Sequence, residues 1–168
     1  QRPAWVSAYY PDDLPADWRL AYYANDCECV LLNVEAWCRT DREALEQALD
    51  DAPEHLVFFL RWPCGASVSD CPNLVLFERQ PCVLLTGSDE VVDCPLPQWR
   101  SDRADSWCDQ RSGARLECWS LDAFNLRDLR TRAEALDHHA AAVVLDGPAA
   151  TPAQIGELRT LLQLMGRF

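Results

Sequence analysis

The stretch RLAYYANDCECVLLNVEAW, residues 19–37, decides the fold of this chain. Its first part has the spacing of an amphipathic helix. The run CVLLNV, residues 29–34, shows no alternation of apolar and polar side chains, which is typical of a strand buried on both faces of a parallel sheet. Asn33 and Glu35 come where that strand should finish, so two polar side chains follow a buried strand.

Strands and helices alternate outward from this stretch. The predicted strands cover 4–10, 29–34, 55–63, 114–121 and 140–148, and the predicted helices cover 40–53, 126–139 and 151–166, with a further one starting near Pro15. Thr40 with Glu43, and Thr151 with Gln154, have the spacing of capping boxes, and Gly166 suits a helix C-terminus. This alternation predicts right-handed βαβ units and one α/β domain over 1–168 with a mainly parallel sheet.

The middle of the chain, 64–113, departs from this order. Two short strands are expected at 73–78 and 82–87, too close together for a helix between them. The segment 88–113 is rich in Pro, Ser and Asp, which predicts a loop. We therefore expect an irregular, loop-rich middle.

The charge balance excludes several classes of function. There are 27 acidic residues against 15 basic ones, for a net charge of −12, and every basic residue is an arginine. Without lysine, neither a Schiff base nor a P-loop is possible. The acidic balance disfavours nucleic acid and anionic membrane surfaces as partners. No apolar run is long enough to cross a bilayer and no secretory signal is evident, so a cytoplasmic protein is expected.

The nine cysteines predict no metal centre. None lies in a C-x-x-C pair, and the closest spacing is Cys27-x-Cys29. Structural zinc sites bring cysteines together in tighter patterns, so free thiols that pack as small apolar groups are expected. No motif for a cofactor occurs, and none is predicted.

Polar residues at strand ends define the candidate site. In a parallel sheet the carboxyl ends of the strands meet at one edge, where ligands bind. Asn33, Glu35, Arg61 and Asp146 all follow apolar strands. Asp146 is a candidate for acid–base chemistry or, in its Asp-Gly-Pro context, for an Asx-type turn. Arg61 is a candidate anion clamp or the partner of a nearby carboxylate.

Histidine is absent from that edge. His138 and His139 end a predicted helix, and His55 starts a strand at the opposite edge. A general base at the site would therefore be a carboxylate.

Three aromatic residues near strand ends, Tyr10, Trp37 and Trp119, are candidate ligand contacts. Tyrosine and tryptophan can stack on a planar or sugar ligand, and they are also common at the centre of protein interfaces.

The motifs YYP (9–11), RLAYYA (19–24), LLNVEAW (31–37) and FFLRWP (58–63) together resemble the opening of the YecE-like family, over residues 9–63. That family shows FYP, RLAYYA, VEINSTFY and FAVKAPR at these places. A weaker similarity covers 115–146. The resemblance implies a shortened, TIM-barrel-related (β/α) barrel, and an open doubly wound sheet remains the alternative.

The resemblance carries five residues over to family positions. Asn33 matches the Asn of the first strand end, Trp37 the aromatic that follows it, and Arg61 the lysine of the next strand. Glu117 matches the Glu of the family's VEFRHPSW strand, and Asp146 matches a later strand-end Asp. Glu117 thereby joins Glu35 and Asp146 as a candidate catalytic carboxylate.

Other positions depart from the family pattern. The Glu of VEIN is Leu31 here, and the Arg-His of EFRH is replaced, with Trp119 at one of the two positions. These losses remove proton-transfer groups. We therefore expect a non-catalytic or degenerate barrel that binds a protein partner, a second copy or a small anionic ligand. The alternative is a hydrolase of anionic or sugar-like molecules that uses the carboxylates and Arg61.

Overall fold

The computed structural model describes residues 9–122, 125–147 and 150–167. Its seven strands form one sheet in chain order. The strands are β1 (Cys29–Leu32), β2 (Val57–Arg61), β3 (Cys82–Thr86), β4 (Gln98–Arg103), β5 (Ser106–Cys108), β6 (Arg115–Ser120) and β7 (Ala140–Asp146). The α-helices are α1 (Arg19–Tyr23), α2 (Val34–Trp37), α3 (Arg42–Asp50), α4 (Leu126–Glu134) and α5 (Pro152–Leu164), and 3₁₀ turns cover Ala16–Trp18, Val68–Asp70 and Pro72–Arg79.

The predicted α/β fold with a mostly parallel sheet is confirmed. β1 to β4 pair in parallel, as do β6 and β7, whereas β5 runs antiparallel to both of its neighbours. Cα atoms of β1 and β7 approach to within 8 Å without pairing, so the sheet is nearly closed like a barrel. A doubly wound sheet reverses its strand order at a switch point. This sheet does not, so that alternative was wrong.

The two-residue period of the strands divides the core into an inner and an outer part. Phe58 and Leu60 of β2 face outward into a cluster with the helices of the first half. Val57 and Phe59 belong to a cluster that also takes residues from the other strands, including Leu85 and Leu116. Only the face enclosed by the curved sheet can bring these residues together.

The helix boundaries follow local capping. Asp41, rather than Thr40, caps α3, because its Oδ1 accepts a hydrogen bond from the Ala44 N–H at 3.0 Å. The predicted Thr151–Gln154 capping box of α5 is confirmed. α4 ends at Glu134, earlier than the predicted 139. Among the described residues, no helix combines the length and the apolar character needed to span a bilayer.

The prediction of a strand at 73–78 was wrong, because Pro72–Arg79 is a 3₁₀ helix. Leu74 and Phe77, three residues apart, both turn into the core. The amide of Asn73 donates to the backbone oxygens of Trp37 and Thr40, which ties the segment to the turn after α2. A short apolar run does not by itself distinguish a strand from a helix.

The prediction of a loop over 88–113 was also wrong in part. β4 and β5 lie inside it and form a hairpin whose turn contains Asp105 at φ 56°. The predicted strand at 4–10 falls on residues 4–8, which lie outside the described residues, and on Tyr9 and Tyr10, which are described and form no strand.

All nine cysteines are free thiols, and several of them make stability sensitive to alkali. Burial raises the pKa of Cys29 and of Cys82 to about 12 from a usual value near 9.0. A raised folded-state pKa stabilises the fold below pH 9, and this contribution is lost as the pH rises from 9 towards 12. We expect each thiol to lower the free energy of unfolding by about 1.4 kcal/mol per pH unit in that window.

Urea unfolding at about pH 8 and about pH 10.5, under reducing conditions, measures this loss. Cys82→Ala should flatten the alkaline decline, whereas replacement of the exposed Cys64 should leave it unchanged. Equal free energies of unfolding at the two pH values would contradict the prediction.

Candidate functional site

The carboxyl ends of the parallel strands and the β4–β5 turn lie at one edge of the sheet, which we call the mouth. Arg61, the last residue of β2, is at its centre. Its side chain lies on the same face as Phe59, two residues earlier, and therefore projects into the space that the sheet encloses.

Three groups, from β5, β6 and the β4–β5 turn, contact the Arg61 guanidinium. It lies 5.2 Å from the ring centroid of Trp107, and its Nη2 donates to the Cys118 sulfur at 3.5 Å. The same nitrogen is 3.9 Å from Asp105 Oδ1, a loose ion pair between partly exposed groups. The Nε of Arg61 is buried, and no residue in the described ranges accepts its hydrogen bond. A buried donor without a partner costs about 1–3 kcal/mol, which an acceptor that reached this nitrogen would recover.

The backbone around Arg61 is fixed from both sides. The indole N–H of Trp37 donates to the Arg61 carbonyl oxygen at 3.2 Å. The next residue, Trp62, donates its backbone N–H to the Leu85 carbonyl oxygen of β3 at 2.9 Å. Arg61 is thus held on a rigid strand end, which favours a fixed binding geometry.

The β4–β5 turn is fixed to β6 beside Arg61. The N–H of Cys118 donates to the Asp105 carbonyl oxygen at 2.8 Å. Asp105 adopts a left-handed conformation that aspartate tolerates better than most residues. The turn therefore holds the Asp105 carboxylate near the guanidinium.

Two of the sequence candidates join Arg61 at the mouth. Asn33 directly follows the Leu32–Leu60 pair of the parallel register, beside Arg61, and its exposed side chain makes no capping bond to α2. Asp146 ends β7, and its Oδ1 accepts a hydrogen bond from the Gly147 N–H at 2.8 Å. Asp146 thus takes part in a local turn bond and also borders the mouth, where its charge acts on Cys118.

Cys118 remains a neutral thiol at neutral pH. Burial raises its pKa above the usual value, and the charges of Asp146 and Asp105 add to this, while the Arg61 charge opposes it. A protonated, buried thiol is a poor nucleophile. Cys118 therefore shapes the mouth rather than attacking a substrate.

Two predicted carboxylates do not share the enclosed face with Arg61. Glu35 lies on α2 because β1 ends at Leu32, and it is exposed and 3.7 Å from Arg39. Glu117 faces outward from the sheet, opposite in parity to Cys118, and pairs with Arg103 and with the Ser106 hydroxyl. Neither carboxylate is therefore seen to contact Arg61.

The three predicted aromatic contacts are core residues. Trp37 is fully buried and stacks on Trp62. Trp119 faces outward and packs against α4 and α5. Tyr10 is 6% exposed, with its ring edge-on to Tyr22 of α1, at the end of the molecule where β1 begins. These rings stabilise the fold at places from which they do not reach the mouth.

Sequence reasoning missed Asp105, Trp107 and Cys118. The first two lie in the segment predicted as loop, and strand parity could have identified Cys118, since it is two residues after the core residue Leu116.

The mouth offers no cluster of metal ligands within the described ranges. The one group of metal-ligating side chains in the described part of the chain consists of Asp137, His138 and His139. These residues are consecutive and exposed, and they lie just before β7, at the edge opposite the mouth. His55 hydrogen-bonds to the Ala24 oxygen at 3.1 Å, near the start of β2. The chain's three histidines thus all lie at the edge opposite the mouth.

Comparison with known proteins adds no relative. No family model, no curated protein and no solved structure matches this chain. The fold and the mouth therefore define a class only, an α/β protein with a nearly closed sheet and an arginine at its carboxyl-end edge.

Proposed function

We propose that this chain is a non-catalytic binding protein whose mouth takes a small hydroxylated acid. The buried Nε of Arg61, which has no acceptor among the described residues, carries this proposal. A carboxylate that displaced the side chains covering Nε would receive two parallel hydrogen bonds from Nε and Nη2, the paired geometry that arginine offers to carboxylates. The Trp107 ring beneath the guanidinium keeps that plane in position.

The surroundings of Arg61 favour a ligand with hydroxyl groups. Asp105 and Asp146 add negative charge near the guanidinium, which disfavours a bare anion. Hydroxyl groups of the same ligand would donate to these carboxylates and to the Asn33 amide oxygen. A sugar acid has both kinds of group, an acid for Arg61 and several donors around it.

The distribution of proton-transfer groups favours binding over catalysis. Glu35 is exposed on α2, Glu117 faces outward from the sheet, the histidines lie at the opposite edge, and Cys118 is protonated. The hydrolase alternative would have to use carboxylates such as Asp105 and Asp146, beside an arginine that cannot exchange a proton.

Kinship with the YecE-like family stays a proposal. The nearly closed sheet with strands in chain order, and the position of Asn33 beside Arg61, are compatible with a shortened barrel of that kind. The proposed binding role does not depend on it.

Calorimetric titration with gluconate, acetate and glucose tests the binding proposal. Gluconate should bind more tightly than acetate, which lacks the hydroxyl groups, and than glucose, which lacks the acid. Arg61→Met keeps the apolar contact with Trp107 and removes the charged donors, worth about 1.5–3 kcal/mol, so binding should weaken about 10- to 100-fold. Arg61→Lys keeps the positive charge but loses the planar pair of N–H donors. Its affinity for gluconate should lie between those of the unchanged protein and Arg61→Met.

Arg39→Met is the matched control, since Arg39 is exposed and pairs only loosely with Glu35. It should leave gluconate binding unchanged. The proposal fails if gluconate binds no better than acetate and glucose, or if Arg61→Met and Arg39→Met weaken gluconate binding equally. Turnover of a glycosidic or ester derivative of gluconate would overturn the non-catalytic part alone.

A further inference from the structure

The enclosed space of the sheet is filled in its middle and open at its amino-terminal end. Phe59, Leu85 and Leu116 face the enclosed space, and each is at most 4% exposed. Val57 and Val83 face the same space two residues nearer the strand starts than Phe59 and Leu85, and they are only half-buried. Parallel barrels normally pack their interior with layers of side chains. Here that packing is incomplete towards the strand starts.

A cavity of about 560 Å³ occupies this place. Its inner wall is formed by Val57, Phe59, Val83, Trp99 and Ala142, and its outer wall by the β7 edge and the apolar face of α5. Cavities that bind small molecules commonly measure about 300–1,000 Å³ and are mostly apolar. Arg61, Asp105 and Asp146 do not line it, so it is separate from the mouth.

The buried titratable groups of the cavity wall are neutral at neutral pH. Burial raises the pKa of Cys29 to about 12 and raises the pKa values of Cys27 and Tyr23, so all three are neutral. The Tyr23 hydroxyl already donates to the Cys29 carbonyl oxygen at 3.0 Å.

The charged lining residues are Asp26, Glu28 and Arg159, all exposed. Arg159 donates to the Asp26 carbonyl oxygen at 3.1 Å. A charged ligand would therefore meet no partner inside the cavity.

The spacing of β1 and β7 excludes a strand between them. A strand that paired with both would need them about 9.6 Å apart, twice the usual strand separation. Their Cα atoms approach to within 8 Å. The gap is therefore too narrow where the strands are closest, and an added peptide strand does not fit there.

We propose that this cavity binds an uncharged, apolar small molecule that enters between β1 and β7. An aromatic ring system fits best, because Trp99 and Phe59 present two tilted rings, with centroids 5.4 Å apart, on the inner wall. Such a ligand replaces water against apolar side chains and needs no hydrogen-bond partner. The site is independent of the proposed binding at Arg61.

Fluorescence titration with N-phenyl-1-naphthylamine, an uncharged probe that brightens in apolar surroundings, tests this site. Binding should be saturable, with one probe for each chain. The matched probe 1-anilinonaphthalene-8-sulfonate has the same ring system with a sulfonate, and it should bind about tenfold or more weakly. Arg61→Met should leave both results unchanged.

Two filling variants, Ala142→Phe and Val83→Phe, place a ring in the cavity from different strands. Each should weaken probe binding about tenfold or more while far-UV circular dichroism stays native. The control Ala36→Phe adds the same group on the exposed surface of α2 and should change nothing. Two variants are used so that a folding failure in one leaves the other as the test.

Other occupants would give different results. Equal binding of the two probes, or unchanged binding in both folded filling variants, would overturn the proposal. Binding that appears only after residues 1–8 are removed would assign the cavity to that segment of the chain. Binding that falls as protein concentration rises would assign it to a second copy.

Discussion

Trp37→Ala is expected to lower the free energy of unfolding by about 3–5 kcal/mol, the usual cost of removing a large aromatic side chain from a core. Trp37 is 0% exposed. Its ring stacks on Trp62 and meets Phe77 edge-on, with both centroid distances at 6.1 Å. The loss would therefore leave a cavity at the junction of α2, β2 and the 3₁₀ segment.

Trp37→Phe separates packing from hydrogen bonding. It keeps most of the ring but removes the N–H that donates to the Arg61 carbonyl oxygen. We expect a smaller loss of about 1–3 kcal/mol, because a partly buried carbonyl is left without its partner. The same variant should also loosen Arg61 and weaken gluconate binding.

Urea unfolding followed by circular dichroism measures these free energies. The matched control is Trp18→Ala, since Trp18 is 62% exposed, and its effect should stay within about 0.5 kcal/mol. If Trp37→Ala costs no more than Trp18→Ala, then Trp37 is not the core residue described above.

Gly147→Ala is expected to cost about 2–5 kcal/mol, through backbone strain and steric overlap together. Gly147 follows Asp146 at the end of β7 with φ 98°. A Cβ there would lie 2.4 Å from the Leu121 oxygen and 2.6 Å from the Leu121 nitrogen. Both are backbone atoms next to β6, so the ends of β6 and β7 would have to separate.

Gly156→Ala is the matched control and should change stability in the opposite direction. Gly156 lies inside α5, and a Cβ there would meet nothing within 4 Å. Alanine in an exposed helix interior is more stable than glycine by about 0.8–1 kcal/mol. Chemical unfolding of the two variants side by side gives the comparison, and a shift in the same direction for both would contradict it.

The sequence predicted the elements whose local pattern agrees with their final environment. The run 29–34 was predicted as a strand buried on both faces, and its apolar part, Cys29–Leu32, became a half-buried parallel strand. The last helix was predicted almost to its ends because Thr151, Gln154 and Gly166 each act locally. Pro72–Arg79 was missed because its amide and apolar contacts reach residues distant in sequence.

Within the candidate site, small differences in where a strand ends or which face a residue occupies decided whether a residue was predicted correctly. Arg61 was predicted correctly at the strand end because an uninterrupted apolar run, Val57–Leu60, leads up to it. Glu35 does not share a strand face with Asn33, because β1 stops at Leu32 and a helix begins at Val34. Glu117 faces outward because a shift of one position along a strand changes the face. Asp105 and Trp107 belong to the β4–β5 hairpin, and the Pro-, Ser- and Asp-rich composition of this segment predicted a loop instead.

The Nε–H resonance of Arg61 in a ¹H–¹⁵N spectrum reports whether gluconate binds at the mouth through this donor. The resonance can be assigned by its absence in Arg61→Lys. If the mouth binds the acid as proposed, added gluconate will shift this signal downfield and saturably, while the Arg39 signal stays in place. A stationary Arg61 signal at gluconate concentrations that saturate the calorimetric response would contradict the account.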